Sequence, residues 1–308
     1  MNSQFYSMTR LEDSSVSHGN IFFLMVYDGE QRSYYSWDYL IANAETITNV
    51  VVMAYDSKII RKNQKLADSF HKYNCVIHNV TDNQISFIKC LKTINFNDAG
   101  KIVIDISGMR AMHIFLLFKY LKFIKCTQIA VINTIPYDYI FDNEPFVSYS
   151  SYVGDLSLNE IIGYGGKGEI SQDCDLYIFM GFEGALSLKV AEDIAFSNLY
   201  LVNTIPSYYQ KYKDISLVNN YSILQRKKNK LMHVPADNPF EVYNMLDSIA
   251  DKNKMICIAP LSTKPISLGI CLYALTNENV RIVYPVSKEY NNARSHDIYI
   301  SYVYEIIL

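Results

Sequence analysis

Short, continuous apolar runs limit what this chain can fold into more than any other feature. Ile21–Tyr27 (IFFLMVY), Asn49–Tyr55 (NVVVMAY), Cys75–Val80 (CVIHNV), Lys101–Ile106 (KIVIDI) and Gln128–Ile135 (QIAVINTI) are strand-length and rich in β-branched or aromatic residues. A strand with one face in water alternates apolar and polar residues, whereas a run that is apolar throughout belongs to a strand covered on both faces. The segments between them, such as SYYSWDYLIANAET and MRAMHIFLLFKYLKF, are long enough for crossover helices. This alternation predicts an α/β fold with mainly parallel sheets flanked by helices.

The pattern starts over in the second half. Asp175–Gly181 (DLYIFMG), Asn198–Ile205 (NLYLVNTI), Met255–Leu261 (MICIAPL) and Val280–Val286 (VRIVYPV) read as strands, with Lys230–Ala236 (KLMHVPA) as a weaker fifth. Two Rossmann-like domains follow, residues 1–145 and 173–308, joined by a linker or loop excursion over 146–172 that is glycine-rich and weakly patterned. Within it, GYGGKG (Gly163–Gly168) has the spacing G-x-G-x-x-G. No clear strand precedes it and no helix follows, so it reads as a flexible loop and not as a dinucleotide fingerprint.

Asn-Thr-Ile-Pro occurs twice, at Asn133–Pro136 and Asn203–Pro206, each time after an apolar run and before tyrosines. Set out as strand–loop–helix–strand units, KIVIDISGMRAM leads to VINTIPYDY, DLYIFMGFEGALS to LVNTIPSYY and MICIAPLSTKPIS to RIVYPVSKEY. Proline has no N–H to give to a ladder, so each second strand is expected to end there, at the sheet's carboxyl edge. Ligands of open parallel sheets bind at that edge. Tyr137 and Tyr208, just past two of these prolines, are available to stack on a base.

The first turns of the units form the other side of this rim: Tyr27–Ser33 (YDGEQRS), Asp105–Arg110 (DISGMR), Gly181–Ser187 (GFEGALS) and Pro260–Ser267 (PLSTKPIS). Small or polar residues stand there between strand and helix, where backbone N–H groups and the helix dipole favour an anion. The candidate ligand-binding residues are Asp28, Arg32, Ser107, Gly108, Arg110, Gly181, Gly184, Ser262, Thr263 and Lys264, together with Tyr137 and Tyr208. Turns of this kind need glycine, serine and helix caps in any protein. The argument for a ligand is the basic residue that recurs as Arg32, Arg110 and Lys264. Lys264 would stand near the start of a helix capped by Thr263 or Ser262 with Pro265 in its first turn, where the dipole disfavours a cation unless an anion is present. G-x-x-x-x-G-K-[ST] is absent, so no Walker A loop is inferred. Glu183 and Asp105, at strand ends, are the candidate acidic catalysts, with helix capping or loop bracing as the alternative role.

Composition narrows the classes further. A net charge of -3 over 308 residues gives no strong nucleic-acid signal, because such proteins usually carry a basic excess. The six cysteines make no C-x-x-C pair and read as buried free thiols of a reducing cytoplasm. The six histidines show no ligand spacing, and no G-x-S-x-G elbow occurs, so neither a metal nor another cofactor is predicted. MNSQFYSMTRLEDSS lacks the order of a secretory signal, and Ala111–Ile124 is too short and too interrupted by charge to span a bilayer. A cytoplasmic location without membrane association is therefore expected.

DISGMRAMHIFLLFKYL resembles the ligand loop and helix of the CRISPR-associated Rossmann fold domains, the cyclic-oligonucleotide sensors of prokaryotic defence, and IAPLSTKPISLG is similar to the same segment. The resemblance spans two loop–helix segments, well under half of the chain. It implies that Ser107, Gly108 and Arg110, with Ser262, Thr263 and Lys264, face a nucleotide phosphate. No nuclease signature accompanies these segments. Three functional readings follow: a sensor or regulatory protein that binds a nucleotide-type anion at the strand ends; an enzyme acting on a nucleotide or nucleoside with Glu183 or Asp105 as acidic catalyst; and a structural subunit of a larger assembly, whose tyrosine-rich surface would meet a protein partner or a second copy.

Overall fold

A computed structural model describes residues 5–96, 100–139, 152–167, 174–226, 229–290 and 295–308. Contacts divide the chain into two compact units, Met1–Ile140 with Asn292–Leu308, and Phe141–Asn291. The first contains strands β1 (Phe5–Arg10), β2 (Asn20–Tyr27), β3 (Thr46–Ala54), β4 (Val76–Asn79), β5 (Lys101–Asp105) and β6 (Gln128–Tyr139). Its helices are α1 (Tyr35–Asn43), α2 (Ser57–Lys62), α3 (Gln64–Lys72), α4 (Gln84–Leu91) and α5 (Ala111–Phe123). The second runs through β7 (Tyr152–Gly165), β8 (Asp175–Phe179), α6 (Gly184–Asp193), β9 (Asn198–Thr204), α7 (Gln210–Asn219), α8 (Tyr221–Leu224) and β10 (Asn229–Val234). It continues through α9 (Pro239–Ile249), β11 (Ile256–Pro260), α10 (Lys264–Thr276) and β12 (Val280–Tyr290), after which β13 (Ser295–Ile307) returns to the first unit.

Both units are Rossmann-like and share one plan. The first sheet has the order β4-β3-β2-β5-β6-β13-β1 and the second β10-β9-β8-β11-β12-β7. In each, five parallel strands run 3-2-1-4-5, and the fifth pairs antiparallel with a long sixth. The sixth strands are exchanged along the chain. β7 follows β6 in sequence yet pairs with β12, and β13 follows β12 yet pairs with β6.

This topology revises three expectations. The stretch 146–172 is not simply a linker, because residues 152–165 form β7; residues 146–151 and 168–172, with Gly168, lie outside the described residues. The expected second domain, 173–308, does not keep its last segment, because β13 belongs to the first sheet. And proline closes only one of the three strands expected to end there. β9 stops at Thr204, before the cis Ile205–Pro206 bond, whereas Pro136 lies inside β6 opposite Ile298 and Pro285 inside β12 opposite Leu158. β5 pairs with β6 only as far as Ile132, and β11 with β12 only as far as Ile282. Beyond those points the inner ladder has ended, so a strand position without an N–H is tolerated.

The same comparison settles the repeated Asn-Thr-Ile-Pro. Asn133–Pro136 lies in a fifth strand and Asn203–Pro206 at the end of a second, so the two are not equivalent. VINTIPYDY corresponds instead to RIVYPVSKEY. The architecture is repeated, but the tetrapeptide does not mark it.

Two helices anchor the cores. Ala111 to Phe118 and Leu121 are buried in α5, so its first two turns are covered all round, and Pro265 to Ala274 are buried in α10. Such all-round burial explains why both sequences are apolar without a polar stripe. Trp37, stacked on Phe23 with centroids 5.9 Å apart and flanked by Phe70 and Tyr73, fills the opposite layer of the first unit. No described helix is long and apolar enough to cross a membrane. All six cysteines are free; Cys174, Cys257 and Cys271 are buried as expected, while Cys75, Cys90 and Cys126 are partly exposed.

Candidate functional site

In a 3-2-1-4-5 sheet the order reverses between strands 1 and 4, which opens a crevice at their carboxyl ends. The four predicted turns lie at these switch points. Residues 27–33 follow β2 and 105–110 follow β5; residues 181–187 follow β8 and 260–267 follow β11. DISGMR and PLSTKP thus occupy the same place in their units. In both, glycine lets the two turns meet. A Cβ on Gly108 would collide with the carbonyl of Val26, and one on Gly181 with the carbonyl of Leu261.

At the first switch point the predicted residues come together around Arg32. Its Nε donates to Glu30 Oε2 at 2.6 Å and to Ser295 Oγ at 3.3 Å, Nη2 pairs with Asp28 Oδ2 at 3.0 Å, and Nη1 donates to the carbonyl of Ser107. Only 13% of the Arg32 side chain is exposed, against 18% for Asp28 and 8% for Glu30. Burial alone would weaken the guanidinium's hold on its proton, but Asp28 and Glu30 more than compensate and keep it charged. Burial, with Glu30 nearby, raises the Asp28 carboxyl above its ordinary range although Arg32 opposes this.

Asp105 is fully buried. It accepts from the Ser107 amide at 2.6 Å and from the Ser36 hydroxyl. Desolvation pushes its pKa up to about 6, against the opposing hydrogen bonds of Ser107 and Ser36. The Ser107 hydroxyl accepts from the Thr134 amide at 2.7 Å, so this turn is braced to β6. Asp105, buried and bonded to Ser107 and Ser36, thus braces the turn, the alternative role weighed above.

Arg110 caps α5 with its backbone and stacks its guanidinium 4.0 Å from the Tyr55 ring centroid while pairing with Asp82. Its amide donates to the Tyr55 hydroxyl at 2.9 Å. The buried His113 lies beyond: Nε2 faces the Thr81 carbonyl at 3.1 Å and so carries the hydrogen, leaving Nδ1 to accept from Tyr55 at 2.8 Å. Tyr55 is held protonated by burial, despite Arg110.

The second switch point is built from the other pole of its peptides. The Gly181 carbonyl accepts from Ser216 Oγ at 3.1 Å and Asn220 Nδ2 at 2.9 Å, and the Phe182 carbonyl from Asn219 Nδ2 at 2.7 Å. Because a trans peptide sets N–H opposite C=O, the amides of Phe182 and Glu183 point away from α7 and α8. Gly184 opens α6 directly against the Asn219 carbonyl. Glu183 stands at the cap position of α6 without a side-chain bond to that helix. Thr263 occupies the cap position of α10, but its hydroxyl donates to the Ala236 carbonyl at 2.6 Å instead of capping. Lys264 is the first residue of that helix, and Ser262, beside it, makes no hydrogen bond among the described residues. Ser187 Oγ, Asn203 Oδ1 and Asn220 Oδ1 are buried here without a hydrogen-bond partner.

The two tyrosines part company. Tyr137, 56% exposed, stands on the β6–β13 ribbon in the first unit, whereas Tyr208 follows β9, one strand away from the second switch point. Sequence reasoning missed Glu30, Ser295, Tyr55, Asp82 and the Ser216–Asn220 group. Only Glu30 had a local signal, since it shares the YDGEQRS turn. No group of three metal-ligating side chains occurs among the described residues.

No family model matches this chain, and no curated protein sequence matches it. Among solved structures it is similar to a Type III CRISPR defence DNA nuclease activated by cyclic oligoadenylate. The likeness is one of fold. It has a TM-score of 0.53 at 6% identity and covers 91% of this chain and 68% of that one.

Proposed function

We propose that the chain is a nucleotide-sensing or regulatory protein of prokaryotic antiviral defence that binds an anionic nucleotide, with cyclic oligoadenylate as the first ligand to test. The observation that carries this reading is the repeated switch point, with a glycine-joined pair of turns in each unit and a fold like that of a nuclease activated by such a ligand. Switch-point crevices in parallel sheets present turn amides and helix starts to phosphate. Calorimetry of the full chain with cyclic oligoadenylates of several ring sizes, their linear forms and mononucleotides tests it. Binding to at least one cyclic species is expected; a folded protein that binds none of them is not this sensor.

A second reading rests on Glu183, whose carboxylate stands at the second switch point without capping its own helix. It would serve as an acidic group in cleavage of the bound nucleotide. Turnover of the ligand that disappears in Glu183→Gln, with binding retained, would support that role, and unchanged products would remove Glu183 from it.

A further inference from the structure

The switch points lie at the carboxyl edge of each sheet, whereas the amino edge of the first sheet holds a cavity of about 430 Å3 where β5 and β6 begin and β13 ends. Its place follows from the strand register, because residues opposed across neighbouring strands project to the same face of a sheet. Val103, Ala130, Glu305 and Ser7 are opposed in one row across β5, β6, β13 and β1. Gln128 and Ile307 are opposed in the row below, with Lys101 level with them because Ile102 opposes Ile129. Ala130 puts only a methyl group between the longer Gln128 and Ile132 on this face of β6. A pit is left there, lined by Lys101, Gln128, Ala130, Glu305 and Ile307.

The hydrogen bonds of the three polar side chains decide what such a pit can take. Lys101 Nζ directs its three donors to the Ser15 carbonyl at 3.0 Å, the Ser15 hydroxyl at 3.4 Å and Glu305 Oε1 at 3.5 Å. The Ser15 hydroxyl donates to the same Glu305 oxygen at 3.4 Å. Glu305 Oε2 and the Gln128 side-chain amide make no hydrogen bond among the described residues. The wall therefore has acceptors to offer, while its ammonium is already engaged. We propose that this cavity binds a small aliphatic ammonium, whose N–H groups donate to Glu305 Oε2 and Gln128 Oε1 and whose hydrocarbon body lies over Ala130 against Ile307. An inorganic cation would gain nothing from Ala130 and Ile307, and no group of three metal-ligating side chains occurs among the described residues. Lys101 acts against the ligand: at 3.5 Å it offsets part of the Glu305 charge and so limits the affinity. Lys101 and Glu305 are 28% and 40% exposed, and a pair so placed adds little to folding, so either can be changed in the folded chain. The site stands apart from the sensor reading, since it lies at the other edge of the sheet.

Calorimetry of the full chain with isopentylamine, isopentanol and isovalerate, which share one hydrocarbon body, tests the site. The amine should bind, the alcohol about tenfold more weakly and the acid not at all. Glu305→Gln keeps the shape of the side chain and should weaken the amine about tenfold with unchanged melting. Lys101→Met should tighten it about threefold, a gain that a merely structural lysine would not produce. Ala130→Leu should abolish binding by filling the pit; if that variant does not fold, Gln128→Ala, at an exposed position, should weaken the amine about threefold. No binding of the amine to the wild-type chain overturns the site. Equal affinity in Glu305→Gln, or in whichever of Ala130→Leu and Gln128→Ala folds, means that the amine binds elsewhere and overturns the assignment. A preference for isovalerate overturns the choice of an ammonium, and weaker binding in Lys101→Met overturns the opposing role of Lys101.

Discussion

At the first switch point the turn amides of Glu30, Ser107 and Arg110 are bonded to Asp28, Asp105 and Tyr55; at the second it is the carbonyls of Gly181 and Phe182 that are bonded, to Ser216, Asn219 and Asn220. Strand order and turn position are the same in both, and the glycine contact is made from opposite sides, by Gly108 after β5 in the first unit and by Gly181 after β8 in the second. The comparison teaches that the fold supplies the crevice, while the side chains around it decide which poles of the turn peptides they engage.

The strongest way to break this comparison is to remove β13. Val303, Tyr304 and Ile306 are buried on it, and each such side chain is worth about 1.5–3 kcal/mol. Deleting residues 295–308 should therefore cost roughly 5–9 kcal/mol, as much as an ordinary domain's whole stability. Hydrogen exchange should show β5 and β6 unprotected, and retained protection there would mean that the first sheet does not need its returning strand.

The next effect is electrostatic and belongs to the first switch point alone. Asp105 keeps its proton to about pH 6 in the folded chain, while its ordinary value is 3.8. Between those values the folded state binds more protons than the unfolded one, so stability falls as pH rises from about 4 to about 6 and is level above. A difference of this size corresponds to roughly 3 kcal/mol, and Asp105→Asn should remove that slope. Denaturant melts of the two proteins across this range measure it; equal slopes would contradict the burial of the carboxylate.

Gly108→Ala and Gly181→Ala sharpen the likeness between the units. Each puts a Cβ onto a backbone carbonyl, of Val26 at the end of β2 or of Leu261 in the turn after β11, and overpacking of this kind costs about 1–3 kcal/mol. Similar losses in melting are expected. The smallest effect is that of Thr134→Val, which breaks the 2.8 Å hydroxyl pair with Ser301 between β6 and β13 and should cost about 1 kcal/mol by chemical denaturation.

The inner parallel strands were legible because each had to be apolar on both faces, and that requirement is written locally; the edge strands β4 and β10 are largely exposed. β7 and β13 were not legible. The first contains glycine and polar residues at an edge, and the second shows a mixed burial pattern over its amino-terminal half, so neither forms a continuous apolar run. Their pairing partners are set by topology: Ser301 meets Thr134 across 167 positions. The site was legible to the same extent. Its turns could be located from strand ends and glycines, but the state of Arg32 depends on Ser295, 263 positions away, and that of Arg110 on Asp82. A recurring basic residue in a turn suggests a ligand; only its neighbours in space show whether a carboxylate already holds it.

For inheritance, the exchanged sixth strands have a consequence of their own. A tandem pair of domains can ordinarily be split, lost or reshuffled at its midpoint. Here a break in the coding sequence between β6 and β7 would give one product lacking β13 and another carrying β13 away from the sheet it completes. Neither half alone would hold a complete sheet of the first kind.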